Sequence, residues 1–269
     1  MADSDIDRAG IAQFDAELTK RAVGILRPFL KLYFRSEVHG LDNIPPGGSL
    51  VVSNHSGGMF AMDVPIFAVD FYEHYSYDRP VYTLTHDMVF NGPVGDLFVR
   101  FGFIKASPGN AVAALRSGGL VIVFPGGDYD VYRPTLRENV VDFGGRSGYV
   151  RTALEAGVPI VPMVSIGGQE TQLFLSRGTW LVERLGPIAR AARTRTLPIS
   201  FGFPFGLSMV IPPNFPLPAK IVTQVLEPID IVERFGENPD VATVDSHVRE
   251  VMQQALDRLS RKRRLPILG

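Results

Sequence analysis

Hydrophobic positions recur along the first part of the chain with a helical beat. Ile11, Phe14, Leu18, Ala22, Ile25, Phe29 and Tyr33 follow one another at spacings of three and four, so at 100° per residue they share one face. Lys20, Arg27, Lys31 and Arg35 fall on the opposite face. The spacing predicts an amphipathic helix over residues 11–35, kinked or restarted at Pro28. Such a helix reads either as a basic helix lying on an anionic membrane or as an ordinary surface helix with a solvated charged side.

After a turn-rich loop at 40–48 the pattern changes to short apolar runs. Strands are predicted at 49–53, 80–85, 103–105, 120–124, 158–165 and 220–226. Helices are predicted between them at 59–71, 110–116 and 149–156, the last two stopped by glycines. A terminal helix at 240–261 presents Val241, Val244, Val248, Met252, Ala255 and Leu259 on one face, and Arg261–Arg264 follow its dipole. Alternating strands and helices give an α/β fold with helices on both faces of a sheet. No repeat or linker divides it. The chain reads as an N-terminal helical segment, 1–39, attached to a single domain, 40–269.

Composition narrows the function. Of 269 residues, 45% are hydrophobic and 20% charged, enough apolar material for a large core. Lys and Arg number 27 against 28 Asp and Glu, so the basic excess of a nucleic-acid binder is missing. With no cysteine, disulfides, a thiol nucleophile and cysteine-ligated metals are excluded, which fits a reducing compartment. The mean hydropathy of +0.11 is high, yet no apolar run approaches the ~20 residues of a spanning helix. The greasiest stretch, 201–218, contains five prolines and reads as a loop. The acidic start MADSDIDRAG has no apolar region of the secretory kind. The surplus apolar content is therefore expected in a core, an interface or a membrane-facing surface.

One segment carries chemistry. In Asn54-His55-Ser56-Gly57-Gly58 a histidine leaves a buried strand at a glycine turn. The strand would fix it, the glycines would let a ligand approach, and the next helix N-terminus would offer amides to an oxyanion. Asp63 lies eight residues on and could orient the imidazole. Alternatively His55 caps the helix and Asp63 is solvated. His86-Asp87 is a weaker pair. G-x-S-x-G, P-loop and H-E-x-x-H motifs are absent, and the histidines have no metal-ligand spacing.

Four blocks in order resemble the glycerolipid (lysophospholipid) acyltransferase superfamily, nearest its monoacylglycerol acyltransferase-like branch. They are SNHSGGMFAMD at 53–63, GFIKAS at 102–107, VFPGGDYDVYRP at 123–134 and GVPIVPM at 157–163; LPAKIVTQVLEPIDI at 217–231 adds to the likeness. The resemblance implies a mixed, largely parallel central sheet. It implies transfer of a fatty acyl group from acyl-CoA or acyl carrier protein to a hydroxyl of a glycerolipid or lysophospholipid. His55 would be the general base and Asp63 its partner, with no metal or further cofactor. It implies substrate contacts at Lys105, Gly126, Gly127, Asp128 and Arg133, with Lys105 and Arg133 either meeting a phosphate or standing as surface residues.

The chain departs from the family pattern at two places. The acid usually stands five residues after the histidine, where this chain has Phe60. Gly126 and Asp128 replace a common Glu and a common Arg or Thr. The second departure points away from glycerol 3-phosphate, toward a neutral glyceride or a lysolipid with a larger head group. An inactive lipid-binding protein or a glycolipid acyltransferase on the same fold are the competing readings. In this family context residues 11–35 and 201–218 become the segments expected to hold a peripheral, monotopic enzyme to the cytoplasmic side of a membrane.

Overall fold

A computed structural model of the chain describes residues 11–265 apart from 12, 91–93, 138, 186–195, 210–211 and 264. Arg264, in the basic run after the terminal helix, lies outside the described residues. The buried runs of the sequence become the centre of a seven-stranded sheet. Its strands are β1 Glu37–His39, β2 Ser49–Ser53, β3 Val81–Thr85, β4 Phe103–Lys105, β5 Leu120–Val123, β6 Ile160–Ile166 and β10 Val222–Val225. Their order is β1-β10-β6-β2-β5-β3-β4, parallel at every pairing except β10 with β6. β2 lies near the middle, and all five of its residues are buried.

Alternate strand residues feed two cores, as a pleated sheet requires. Leu50, Val52 and Val121 point to the side covered by α4 Pro108–Arg116, α6 Gly148–Ala156 and α9 Val241–Lys262. Val51, Leu120, Ile122 and Val161 point to the side covered by α1 Ala16–Tyr33 and α2 Asp63–Tyr75. The remaining short helices are α3 Gly95–Arg100, α5 Gly127–Val131, α7 Thr179–Leu185 and α8 Ile231–Phe235.

Three expectations change. The first helix starts at Ala16, where Asp15 caps it by accepting from Leu18 N at 2.9 Å, and it runs through Pro28 as one helix. Its core-facing side is Thr19, Val23 and Leu30, one sector round from the predicted stripe, and Ile25 and Phe29 of that stripe are exposed. Second, β1 pairs with β10, so residues 37–39 belong with the sheet and not with the helical segment. Third, the proline-rich 201–218 stretch is not all loop. β7 Leu173–Ser176, β8 Ile199–Gly202 and β9 Gly206–Met209 form a small antiparallel sheet.

Candidate active site

The site is built where β2 ends. Asn54 ties that end to β6: its amide donates to Ser165 O at 2.8 Å and its carbonyl oxygen accepts from Ser165 N at 2.8 Å. His55 comes next, with its ring stacked on Phe124 at 4.2 Å between centroids. Gly57 and Gly58 then take left-handed φ values of +88° and +64°. They turn the chain into a short 3-10 segment, Gly58–Phe60.

This turn brings Asp63 back to the histidine. The α-helix expected from residue 59 begins at Asp63, so the carboxylate occupies the first turn, where the helix dipole favours negative charge. Asp63 is 1% exposed. It accepts from His55 Nδ1 at 2.9 Å, Ser56 N at 2.9 Å and Ser56 Oγ at 3.1 Å. An Nδ1–H donated to a carboxylate leaves Nε2 as the proton acceptor. The seven intervening residues therefore do not separate the pair.

A second carboxylate supports the histidine from behind. Asp130 accepts from the backbone N of His55 at 2.7 Å and is ion-paired with the buried Arg133. Burial pushes the Asp130 carboxyl up to about 6, against the opposing pull of Arg133 and the His55 N–H. Its side chain fits because residue 126 has none: a Cβ on Gly126 would stand 2.4 Å from that of Asp130. Sequence reasoning missed Asp130, whose signal was the i, i+3 Asp–Arg pair just after the Pro-Gly-Gly turn.

The other expected residues distribute differently. The backbone amides of His55 and Ser56 are bonded to Asp130 and Asp63. Arg133 is 3% exposed and holds Asp130, so its guanidinium does not reach an open ligand surface. Gly126 and Gly127 shape the turn after β5; Arg146 donates to Gly126 O at 2.8 Å and to Asp128 Oδ1 at 2.9 Å. Lys105 is exposed at the end of β4, beside Thr85. His86 and Asp87 are both exposed. Among the described residues no group of three acidic or histidine side chains could hold a metal ion.

His55 and Phe124 also line a largely apolar cavity of about 480 Å³. It lies between the sheet and two helices, with Ala22, Val23 and Leu26 from α1 and Val64, Ala68 and Tyr72 from α2.

Comparison with known proteins places this architecture. The chain matches the Acyltransferase family over residues 35–166, which include His55, Asp63 and Asp130. An uncharacterized protein of Mycobacterium tuberculosis is 33% identical over 274 residues, covering 99% of this chain and 73% of the relative. The chain belongs to the glycerolipid acyltransferase superfamily. The mouse DGAT1/2-independent enzyme synthesizing storage lipids is 27% identical over 241 residues, 85% of this acyltransferase and 66% of the mouse protein. The 1-acyl-sn-glycerophosphate acyltransferase PlsC of Thermotoga maritima shares the fold, with a TM-score of 0.54 at 17% identity over 90% of this chain and 81% of PlsC. The acyltransferase thus carries its histidine just after β2 and its two carboxylates on α2 and α5.

Proposed function

We propose that this acyltransferase moves a fatty acyl group from acyl-CoA or acyl carrier protein to a hydroxyl of a glycerolipid or lysophospholipid. The observation that carries the reading is His55, held by Asp63, on the wall of an apolar cavity. Nε2 of His55 takes the proton of the acceptor hydroxyl as its oxygen attacks the thioester carbonyl. Collapse of the tetrahedral intermediate breaks the carbon–sulfur bond, and the departing thiolate takes the proton back from the imidazolium. Asp63 holds the ring and balances its charge; a base so placed contributes about 10²–10⁴-fold. The acyl chain lies in the 480 Å³ cavity. With Arg133 engaged by Asp130, Lys105 is the cation we assign to the acceptor head group.

The enzyme works on the cytoplasmic face of a membrane as a peripheral protein. Among the described residues no helix is long and apolar enough to cross one. Support comes from α1, where Leu18, Ala22, Ile25, Leu26, Phe29, Leu32 and Tyr33 fall within an arc of about 120°. Ile25 and Leu32 of this arc are more than 70% exposed. Such an arc suits the acyl boundary of a bilayer.

Radiolabelled acyl-CoA offered with monoacylglycerol, diacylglycerol, lysophospholipid and glycolipid acceptors tests the reading. Transfer to a glycerolipid by the wild type, lost in a folded His55→Ala protein, is expected. Undiminished transfer by His55→Ala would falsify the role of the histidine. Turnover with no acceptor would favour a lipid-binding protein, and turnover with glycolipid alone would move the acceptor class.

A further inference from the structure

The small sheet has its polarity inverted. Inward it presents Phe174, Ser200 and Ser208, all buried. Outward it presents Leu173, Leu175, Phe201, Leu207 and Met209, all exposed. The register aligns them in rows, Leu173 opposite Phe201 and Phe201 opposite Leu207. The solvent side of an antiparallel sheet is ordinarily polar. Here it continues into Phe203 and Phe205 at the turn, and residues 196–219 contain no charged side chain at all.

This face is joined to two other features. Beneath it, Phe174 closes over the histidine loop, where a Cβ on Gly58 would meet its ring at 2.5 Å. At its side, Phe215 N donates to Phe203 O at 2.8 Å, and Tyr33 Oη donates to the next carbonyl, Pro216 O, at 2.8 Å. Phe29 stacks on Tyr33 at 5.2 Å. The apolar surface therefore runs from the hairpin through Phe215 to the exposed arc of α1. Arg21 of α1 and Arg35, which donates to Pro218 O at 2.9 Å, flank it with positive charge.

We propose that the outer face of the β7–β8–β9 sheet is a bilayer-contacting surface, continuous with the apolar arc of α1, that beds the rim of the acyl cavity in lipid. The inference rests on the lipid acyl transfer proposed above. A bilayer fits better than a second copy of the chain because the surface runs to Leu26. That residue lines the cavity and is 40% exposed. A protein seated there would cover the cavity edge, whereas a bilayer delivers acyl chains to it. The flanking arginines suit anionic lipid head groups.

The sole tryptophan, Trp180, allows a direct test. In the full chain carrying His55→Ala, Trp180→Phe and Phe205→Trp move the fluorophore to the turn without turnover interfering. Vesicles of phosphatidylcholine and phosphatidylglycerol should shift the emission to the blue, and brominated acyl chains should quench most of it. In pelleting assays, Phe203→Ser with Phe205→Ser should weaken vesicle binding at least about tenfold. Emission indifferent to both vesicles would overturn the proposal, as would unchanged pelleting of the double variant. So would a solution dimer that the double variant dissociates. Wild-type transfer in detergent with an unquenched turn would sink this surface alone. Quenching without any transfer would sink the catalytic reading alone.

Discussion

Asp63 Oδ2 lies 2.9 Å from His55 Nδ1 and 2.9 Å from Ser56 N, so one buried carboxylate fixes both the imidazole and the backbone that carries it. Two left-handed glycines and a 3-10 turn absorb the residues between them. The pair is a product of that turn and not of helical periodicity.

Replacing Asp63 with Asn keeps the size but lets the side chain offer an N–H to the ring, favouring the wrong tautomer. Turnover should fall by about 10²–10⁴-fold with little change in KM. Steady-state kinetics on the folded variant checks this. A drop confined to KM would mean that Asp63 serves substrate binding instead.

Filling the cavity should change chain selectivity before it changes chemistry. Ala22 sits on the cavity wall and on α1. Ala22→Phe should depress transfer from long acyl donors while sparing short ones. Competition between donors of two lengths reads the ratio directly, and an unaltered ratio would place the acyl chain elsewhere.

Asp130 should leave a signature in the pH dependence of stability. Its carboxyl is raised from 3.8 to about 6 in the folded chain. Between those values the native state holds a proton that the unfolded state has released. This group therefore lowers stability as pH rises from about 4 to about 6, by on the order of 3 kcal/mol. Asp130→Asn abolishes that titration while leaving Arg133 without its carboxylate. The variant's deficit against wild type should thus shrink as pH rises, measured by urea unfolding at about pH 4 and about pH 6.5. A deficit that grows with pH would show the opposite sign of shift.

Glu170 and Arg263 form a bidentate ion pair, both side chains buried, that fastens the end of α9 near β6. Arg263→Met should destabilise the protein by about 3–5 kcal/mol, since it strips a buried carboxylate of its partner. Adding Glu170→Leu should restore most of the loss. Denaturant midpoints of the single and double variants decide it; additive losses would mean the pair is not coupled.

What could be read from the chain follows what local physics determines. β2 and β4 appear at their predicted bounds because short apolar runs between turns leave no alternative. The terminal helix appears as 241–262 because its stripe is long and periodic. The β7–β8–β9 sheet was hidden because Gly202, Pro204 and Gly206 read as loop, although they only mark its tightest turn. The first helix misled for a different reason. Spacing picks out the stripe that holds Ile25 and Phe29, which is exposed, while the core-facing sector of Thr19, Val23 and Leu30 lies beside it and is too short to stand out. In the site, His55 and Asp63 were legible from one short segment. Asp130 was not, because its bond to His55 spans 75 residues and depends on a side chain that Gly126 lacks.

The antiparallel pairing of β6 with β10 in the main sheet, which sets Ile166 opposite Val222, has an architectural meaning. It makes residues 167–221 the loop of one outsized β-hairpin, with its two ends clamped side by side in the central sheet. The whole small sheet is thus carried as a cassette between neighbouring strands. The cassette enters and leaves the central sheet at one place, so it adds a whole surface to the molecule without interrupting the pairing of β2 with β5.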